Sequence, residues 1–313
     1  MKKIMVSLLL YFSTHLSGCD KKETTNLNNK LPESNDEIAG VLISEILPDP
    51  KKDGVEFVEI YNNSMKVIDL QTLQLASTNS NGKRSKLHAI SKSSVLIYPF
   101  TYKLLSTNSE IVQTHYPIQD TSAFHNMLSF PTLTNSQGSV ILFSNEIPID
   151  SLYYQVDMHD VFIKNPKGVS LERVGFNKPT NAAENFISAA ATVGYATPGY
   201  QNSQLENKKP INQTFFLSSK TFAPSLNEQL KINFRFHEGG KMVNLLIFNS
   251  SGREVRSLLK NHRLGTKDLI LWDGLNNENQ KLPFGVYFLS IEIFDSKGNL
   301  NIYKDSCVLA GKI

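Results

Sequence analysis

The sequence predicts an all-β chain, two β-sandwich domains in tandem behind an apolar leader and a polar tether. Three observations carry that reading. Short runs of Val, Ile, Leu, Tyr and Phe recur between Pro, Gly, Asn and Asp turn signals, and no long stretch has helical period. At 313 residues the chain is long enough for two cores. A polar segment at 204–212, carrying Lys208, Lys209 and Pro210, parts two such series of runs.

Composition sets the outer limits. With 40% hydrophobic and 19% charged residues the chain is ordinary globular material. Its formal charge of +3 includes Lys2 and Lys3, which lie in the leader; without them the balance is +1. A near-neutral chain lacks the basic face that displaces counterions, so no nucleic-acid partner is expected.

Residues 1–18 have the plan of a signal peptide: two lysines, an apolar stretch at 4–12 too short to span a bilayer, then small polar residues. Leu16, Ser17, Gly18 and Cys19 resemble a bacterial lipobox, in which cleavage precedes the Cys and its sulfur and amine are acylated. The resemblance implies lipidation at Cys19 and a membrane as partner. A plain secreted protein with an incidental Cys is the alternative. Residues 19–38 are polar apart from Leu27 and Leu31 and read as a flexible tether. An acylated Cys19 leaves Cys307 as a lone thiol, with no disulfide and an inert, buried setting expected.

The first domain is expected at 39–203. Strand-like runs at 41–47 and 55–61 flank a loop holding Pro48, Asp49, Pro50, Asp53 and Gly54. A third strand is expected from Val67 to Leu70, others at 94–98, 139–143 and 149–154, and a short helix near 101–116. Ile43, Glu45 and Ile46, then Glu56 to Asn62, then Ile68 to Leu70 resemble the start of a bacterial lamin-tail domain. Its closing pattern returns at Gly168 to Arg173, Phe186, Ser188 to Ala190 and Gly194 to Gly199. That resemblance implies an immunoglobulin-like fold, with Phe57, Glu59 and Asn62 as structural anchors.

The second domain is expected at 213–311, with strands at 230–236, 243–249, 255–259, 269–272, 287–294 and 302–309. The series Ile247 to Arg256, Trp272 to Gly274 and Leu282 to Tyr287 resembles the immunoglobulin-like domain of the flagellar hook-capping protein. Trp272, Gly274, Gly285 and Tyr287 are its expected anchors, with Trp272 buried and its N–H on a turn carbonyl. Family members often open with an acidic loop suited to calcium; residues 222–228 lack those Asp residues.

Chemistry-bearing motifs are few. Glu45, Asp49, Asp53, Glu56 and Glu59 could gather around a cation, but their spacing is not a calcium loop; Glu45 and Glu59 could also face solvent or pair across strands. His115, His125 and His159 could converge. Residues 168–172 are not a nucleophile elbow, because Glu172 replaces the second Gly. No cofactor is expected. The reading is a non-enzymatic, lipid-anchored protein of a Gram-negative envelope, at the outer membrane, binding an envelope protein or polysaccharide. The alternatives are an accessory module of an extracellular nuclease or phosphatase, and an envelope assembly subunit.

Overall fold

A computed structural model describes residues 40–311, which belong to one compact unit running from Ser34 to Ile313. The leader, Cys19 and the whole of the tether lie outside the described residues. The architecture is all-β, in two lobes with separate hydrophobic cores.

The first lobe contains β1 (Val41–Leu47), β2 (Phe57–Asn62), β3 (Ile68–Asp69), β4 (Leu73–Thr78), β5 (His88–Ala89) and β6 (Leu96–Ile97). It continues with β7 (Tyr102–Ser106), α1 (Ser109–His115), β8 (Phe124–Asn126), β9 (Gln137–Ser144), β10 (Ile147–Gln155), β11 (Leu171–Arg173) and β12 (Phe186–Ser188). A six-stranded sheet in the order β12-β11-β1-β2-β7-β8 faces a four-stranded sheet β10-β9-β4-β5, and β3 pairs with β6. Ile43, Ile46, Val58 and Ile60 of the larger sheet meet Leu75, Val140, Leu142 and Leu152 between the layers.

Local chemistry explains where elements fall short of expectation. The strand expected from Val67 to Leu70 is two residues long, because the Asp69 carboxylate accepts from Gln71 N–H and starts a 3-10 turn at Leu70–Thr72. The strand expected at 94–98 holds only Leu96 and Ile97. The helix near 101–116 begins at Ser109, where Asn108 caps it, and the residues before it form β7.

One layer was not foreseen. The outer face of the six-stranded sheet buries a second, smaller core of Leu47, Phe57, Leu104, Val112, Tyr116 and Ala196. A β-bulge at Ser44 makes this face what it is. Ile43 pairs with Ile60 and Glu45 pairs with Glu59, so one extra residue stands in β1 between the two pairs. Strict alternation would put Ile43 and Glu45 on one face; the bulge sends Ile43 inward and Glu45 outward.

The second lobe contains β13 (Phe215–Leu217), β14 (Thr221–Phe222), β15 (Leu230–Arg235), β16 (Lys241–Phe248), β17 (Glu254–Leu264), β18 (Lys267–Trp272), β19 (Gly285–Phe294) and β20 (Leu300–Leu309). Its sheets are β13-β15-β18 and β14-β20-β19-β16-β17. Trp272 is fully buried. Its ring centroid lies 5.4 Å from Phe222 and 5.5 Å from Tyr287, and its N–H donates to Leu275 O at 3.0 Å. Gly274 turns the chain beneath it at φ +80°, where a Cβ would come within 2.8 Å of Leu309 Cδ1. Gly285 opens β19 at φ +153°. Cys307 is buried, and burial pushes its thiol up to about 12.

The segment expected as a linker, 204–212, departs from that reading at its start. Gln204 is fully buried, as is Asn202 just before it. Among residues 202–210 only Lys208, Lys209 and Pro210 are exposed. Polarity marked this stretch as a linker, but its polar groups are bound to the two lobes.

Candidate functional site

Three carboxylates form the densest chemistry in the described residues. β1 lies between β11 and β2, and register sets Glu45 opposite Glu172 on one side and Glu59 on the other. All three side chains project from the outer face, and all are fully buried. What covers them is a strap, residues 197–204, that follows the last strand of the first lobe.

The strap is held atom by atom. Thr197 N–H donates to Glu45 Oε1 at 3.0 Å and Gly199 N–H to Glu59 Oε2 at 2.6 Å. Ser203 Oγ and Gln204 N–H donate to Glu172 Oε2 at 2.8 and 2.9 Å. Thr197 Oγ1 lies 3.1 Å from Glu45 Oε2 and 2.8 Å from Glu172 Oε1. A hydroxyl owns one proton, so if both contacts are hydrogen bonds, one carboxyl supplies the other proton. Burial drives the same result. It pushes Glu45 up to about 8, with the Glu172 charge adding to it, and raises Glu59 and Glu172 as well. Gly199 is required by the close approach: at φ +84° a Cβ would stand 2.9 Å from Ala123 Cβ.

A second buried network fixes the bulge that aims Glu45. Arg173 Nε donates to Ile43 O at 2.6 Å, and Asp150 Oδ2 accepts from Ile43 N–H at 2.8 Å and from Arg173 Nη2 at 2.9 Å. The guanidinium also lies 5.0 Å over the Phe186 ring. Asn202 completes the arrangement, donating to Ser44 O and Arg173 O. The bulge is therefore locked from two sides by residues more than a hundred positions away.

The strap then joins the lobes. Gln204 Oε1 accepts from Gly240 N–H at 2.8 Å, and its Nε2 donates to Leu264 O. Thr266 N–H donates to Ser203 O, and Arg263 pairs with Asp160 at 2.7 Å with both side chains nearly buried. His159, beside this pair, is pulled down to about 4 by burial and by the Arg263 charge.

The other expected residues go separate ways. Asp49 pairs with Lys167, Glu56 accepts from Leu133 N–H, and Asp53 is exposed at φ +61°. The five acidic residues at 45–59 do not gather, and Glu45 and Glu59 pair across strands away from solvent. His115, His125 and His159 do not converge: His125 meets Ile90 O, His159 meets Ser188 Oγ, and the His115 ring lies edgewise to Tyr116. Phe57 is fully buried against Tyr116. Asn62 is fully buried and ties two loops at one end of the lobe.

Glu172 and Asn202 were missed as site residues. The spacing of Glu45 and Glu59 marked them as acidic groups on paired strands, but Glu172 reaches them only through the β1–β11 pairing. A cleft of about 250 Å³ lies elsewhere, in the second lobe, lined by Arg235, His237, Lys241, Asp295 and Tyr303.

Residues 34–156 match the family model of the Lamin Tail Domain. The structure extends that unit, since β11 and β12 lie beyond the match and complete its larger sheet. No curated protein matches the chain. Among solved structures, CopC from Methylosinus trichosporium OB3b is 19% identical over 32% of this chain and 96% of its own, with a TM-score of 0.23. Dimeric latent PorU from Porphyromonas gingivalis is 9% identical over 85% of this chain and 18% of its own, TM-score 0.26. PorZ, a surface component of the type-IX secretion system of the same organism, is 9% identical over 86% of this chain and 38% of its own, TM-score 0.26. The chain thus spans less than half the length of the latter two.

Proposed function

We propose that this chain is a lipid-anchored, non-enzymatic protein of a Gram-negative cell envelope, acylated on Cys19 and held at the outer membrane. Its immunoglobulin-like lobes present surface loops to an envelope protein or polysaccharide. One observation carries the non-enzymatic reading. Glu45, Glu59 and Glu172, the densest cluster of acid–base groups described, are sealed from solvent and bonded to the strap. A general acid or base must reach a substrate proton, and these reach backbone N–H groups instead. The second lobe is read as a module of the hook-capping-protein type, supported by the packing of Trp272 on Phe222 and Tyr287 above Gly274.

Anchoring rests on the leader and on Leu16 to Cys19. Several acyl chains on one residue give stable attachment, at about 0.8 kcal/mol per buried methylene. Cells fed a palmitate analogue should tag the protein, and Cys19→Ala should abolish the tag and free the protein or stall its precursor. Equal labelling of the variant would end the anchoring reading. The bonded junction between lobes favours one further role, a stiff spacer that holds the second lobe at a set distance from the first.

A further inference from the structure

Two loops meet at one end of the first lobe. Residues 63–67 leave β2, and residues 98–101 lead into β7. Asn62 clamps both. Its side chain donates to Lys66 O at 2.7 Å and Ile97 O at 3.1 Å, and accepts from Ser64 N–H and Oγ. Its backbone accepts from Phe100 N–H and donates to Thr101 O. The loops are rigidly placed, yet they raise apolar groups into solvent. Met65 is 80% exposed, Tyr98 57% and Phe100 52%, with Val67 beside them. Phe100 holds φ +58°, a conformation uncommon for a bulky residue. Between them the two loops carry one charge, on Lys66, and no carboxylate.

The start of the described chain lies at this same end. β1 begins here, with Val41 opposite Asn62, and Gly40 O accepts from Asn63 N–H. Gly40, at which the segment carrying Cys19 joins the described chain, therefore lies against Ser64, next to Met65. Twenty residues lie between Cys19 and Gly40, a reach of roughly 70 Å at full extension. An anchor on that segment keeps this end at high local concentration near lipid. Its chemistry is also that of an interfacial surface: a Tyr ring with an apolar body and polar tip, a Phe and a Met, on loops whose own residues include no carboxylate.

We infer that the tip formed by Met65, Val67, Tyr98 and Phe100 docks onto the membrane, inserting into the headgroup region and orienting the lobes away from the bilayer. The inference rests on anchoring through the N-terminal segment, and its test separates the two. Residues 20–313, which contain the whole compact unit, are given an N-terminal hexahistidine tag. The tag is loaded on phosphatidylethanolamine–phosphatidylglycerol vesicles doped with nickel-chelating lipid, so attachment no longer depends on acylation. Cys307 is buried, so a polarity-sensitive dye is carried by Met65→Cys or, as control, by Leu128→Cys. Leu128 is 80% exposed and follows Met127, whose N–H bonds Ser106 O at the opposite end of the sheet.

Docking should shift the dye at residue 65 to the blue and quench it with brominated lipid at least threefold more than the dye at residue 128. Adding Phe100→Ser to the Met65→Cys protein should remove most of that difference, with an unchanged circular-dichroism spectrum and thermal midpoint as proof that the first lobe is folded. Equal quenching at the two positions overturns docking, even if acylation of Cys19 is found in cells. Preferential quenching at residue 65 supports docking, even if the palmitate tag fails and the anchoring reading falls.

Discussion

The two lobes solve the same packing problem with different materials. In the first, the interior carries polar and ionisable groups: Glu45, Glu59, Glu172, Arg173, Asp150, Asn62 and Asn202 are all buried. In the second, the interior is aliphatic and aromatic, and beyond Gln204 the buried polar residues are Arg263 and Thr266, both bonded to the first lobe. Apolar packing is non-directional, so the second lobe tolerates many arrangements of about the right volume. A buried carboxylate must be met at a stated angle and distance, so the first lobe admits one position for its strap and one register for its bulge. The first lobe is thereby made specific, and with three buried glutamates raised by burial it should be the more pH-sensitive of the two.

The largest effects should separate the lobes. Arg173→Ala leaves Asp150 buried without its partner and releases the bulge, which should cost about 3–5 kcal/mol. Trp272→Ala empties the second core at a cost of about 3–5 kcal/mol. The sequence has a single Trp, so indole fluorescence reports the second lobe alone while circular dichroism reports both. Arg173→Ala should lower the dichroism midpoint and leave most of the indole transition in place. Coincident collapse of both signals would mean that the lobes do not differ in the way described. In the unaltered protein a blue emission that moves red on unfolding is expected, and emission near that of free indole would contradict burial of Trp272.

A smaller effect should come from the junction. Gln204→Ala leaves Leu264 O and Gly240 N–H without partners, at about 1–3 kcal/mol. Its signature is a splitting of one thermal transition into two. A protease of broad specificity should nick the unaltered chain around exposed residues 208–210 and not within residues 197–206. Cleavage inside the strap would show that its bonds do not hold it down.

A further effect is a matter of pH. In the fold Glu45 keeps its proton to about 8 and Glu56 to about 7, against 4.5 for an ordinary glutamate, burial being the main cause for each. The folded values are the higher ones. The stability these groups contribute is therefore complete below about 4.5 and is lost as pH climbs through 7 and 8. The midpoint of the first lobe should fall between pH 5 and pH 9. Glu45→Gln, neutral at every pH, should match the parent at pH 5, exceed it at pH 9 and flatten the curve. An unchanged slope would place the titration elsewhere.

The pattern of the sequence was enough for the all-β class, because alternation and turn residues act over a few neighbours. In β15, residues 230 to 235 alternate buried and exposed or half-buried as their apolar pattern implies. Trp272 before an Asp-Gly turn was legible for the same reason: its indole partner, Leu275 O, is three residues away. The same holds for Asn62, whose side chain bonds Ser64 N–H and Lys66 O.

Tertiary structure alone decided the carboxylate cluster. Read by alternation, Glu45 shares a face with Ile43. The bulge at Ser44 reverses that, and the groups that hold it are Asp150, Arg173 and Asn202. Glu172 joins through a strand pairing that spans most of the lobe. The start of the expected linker was misread for a related reason. Gln204 looks like linker composition when its partners are unknown, and here they are the Glu172 carboxylate and backbone groups of the second lobe. Local pattern records which residues prefer water. It cannot record which buried polar group will meet them once distant strands have paired.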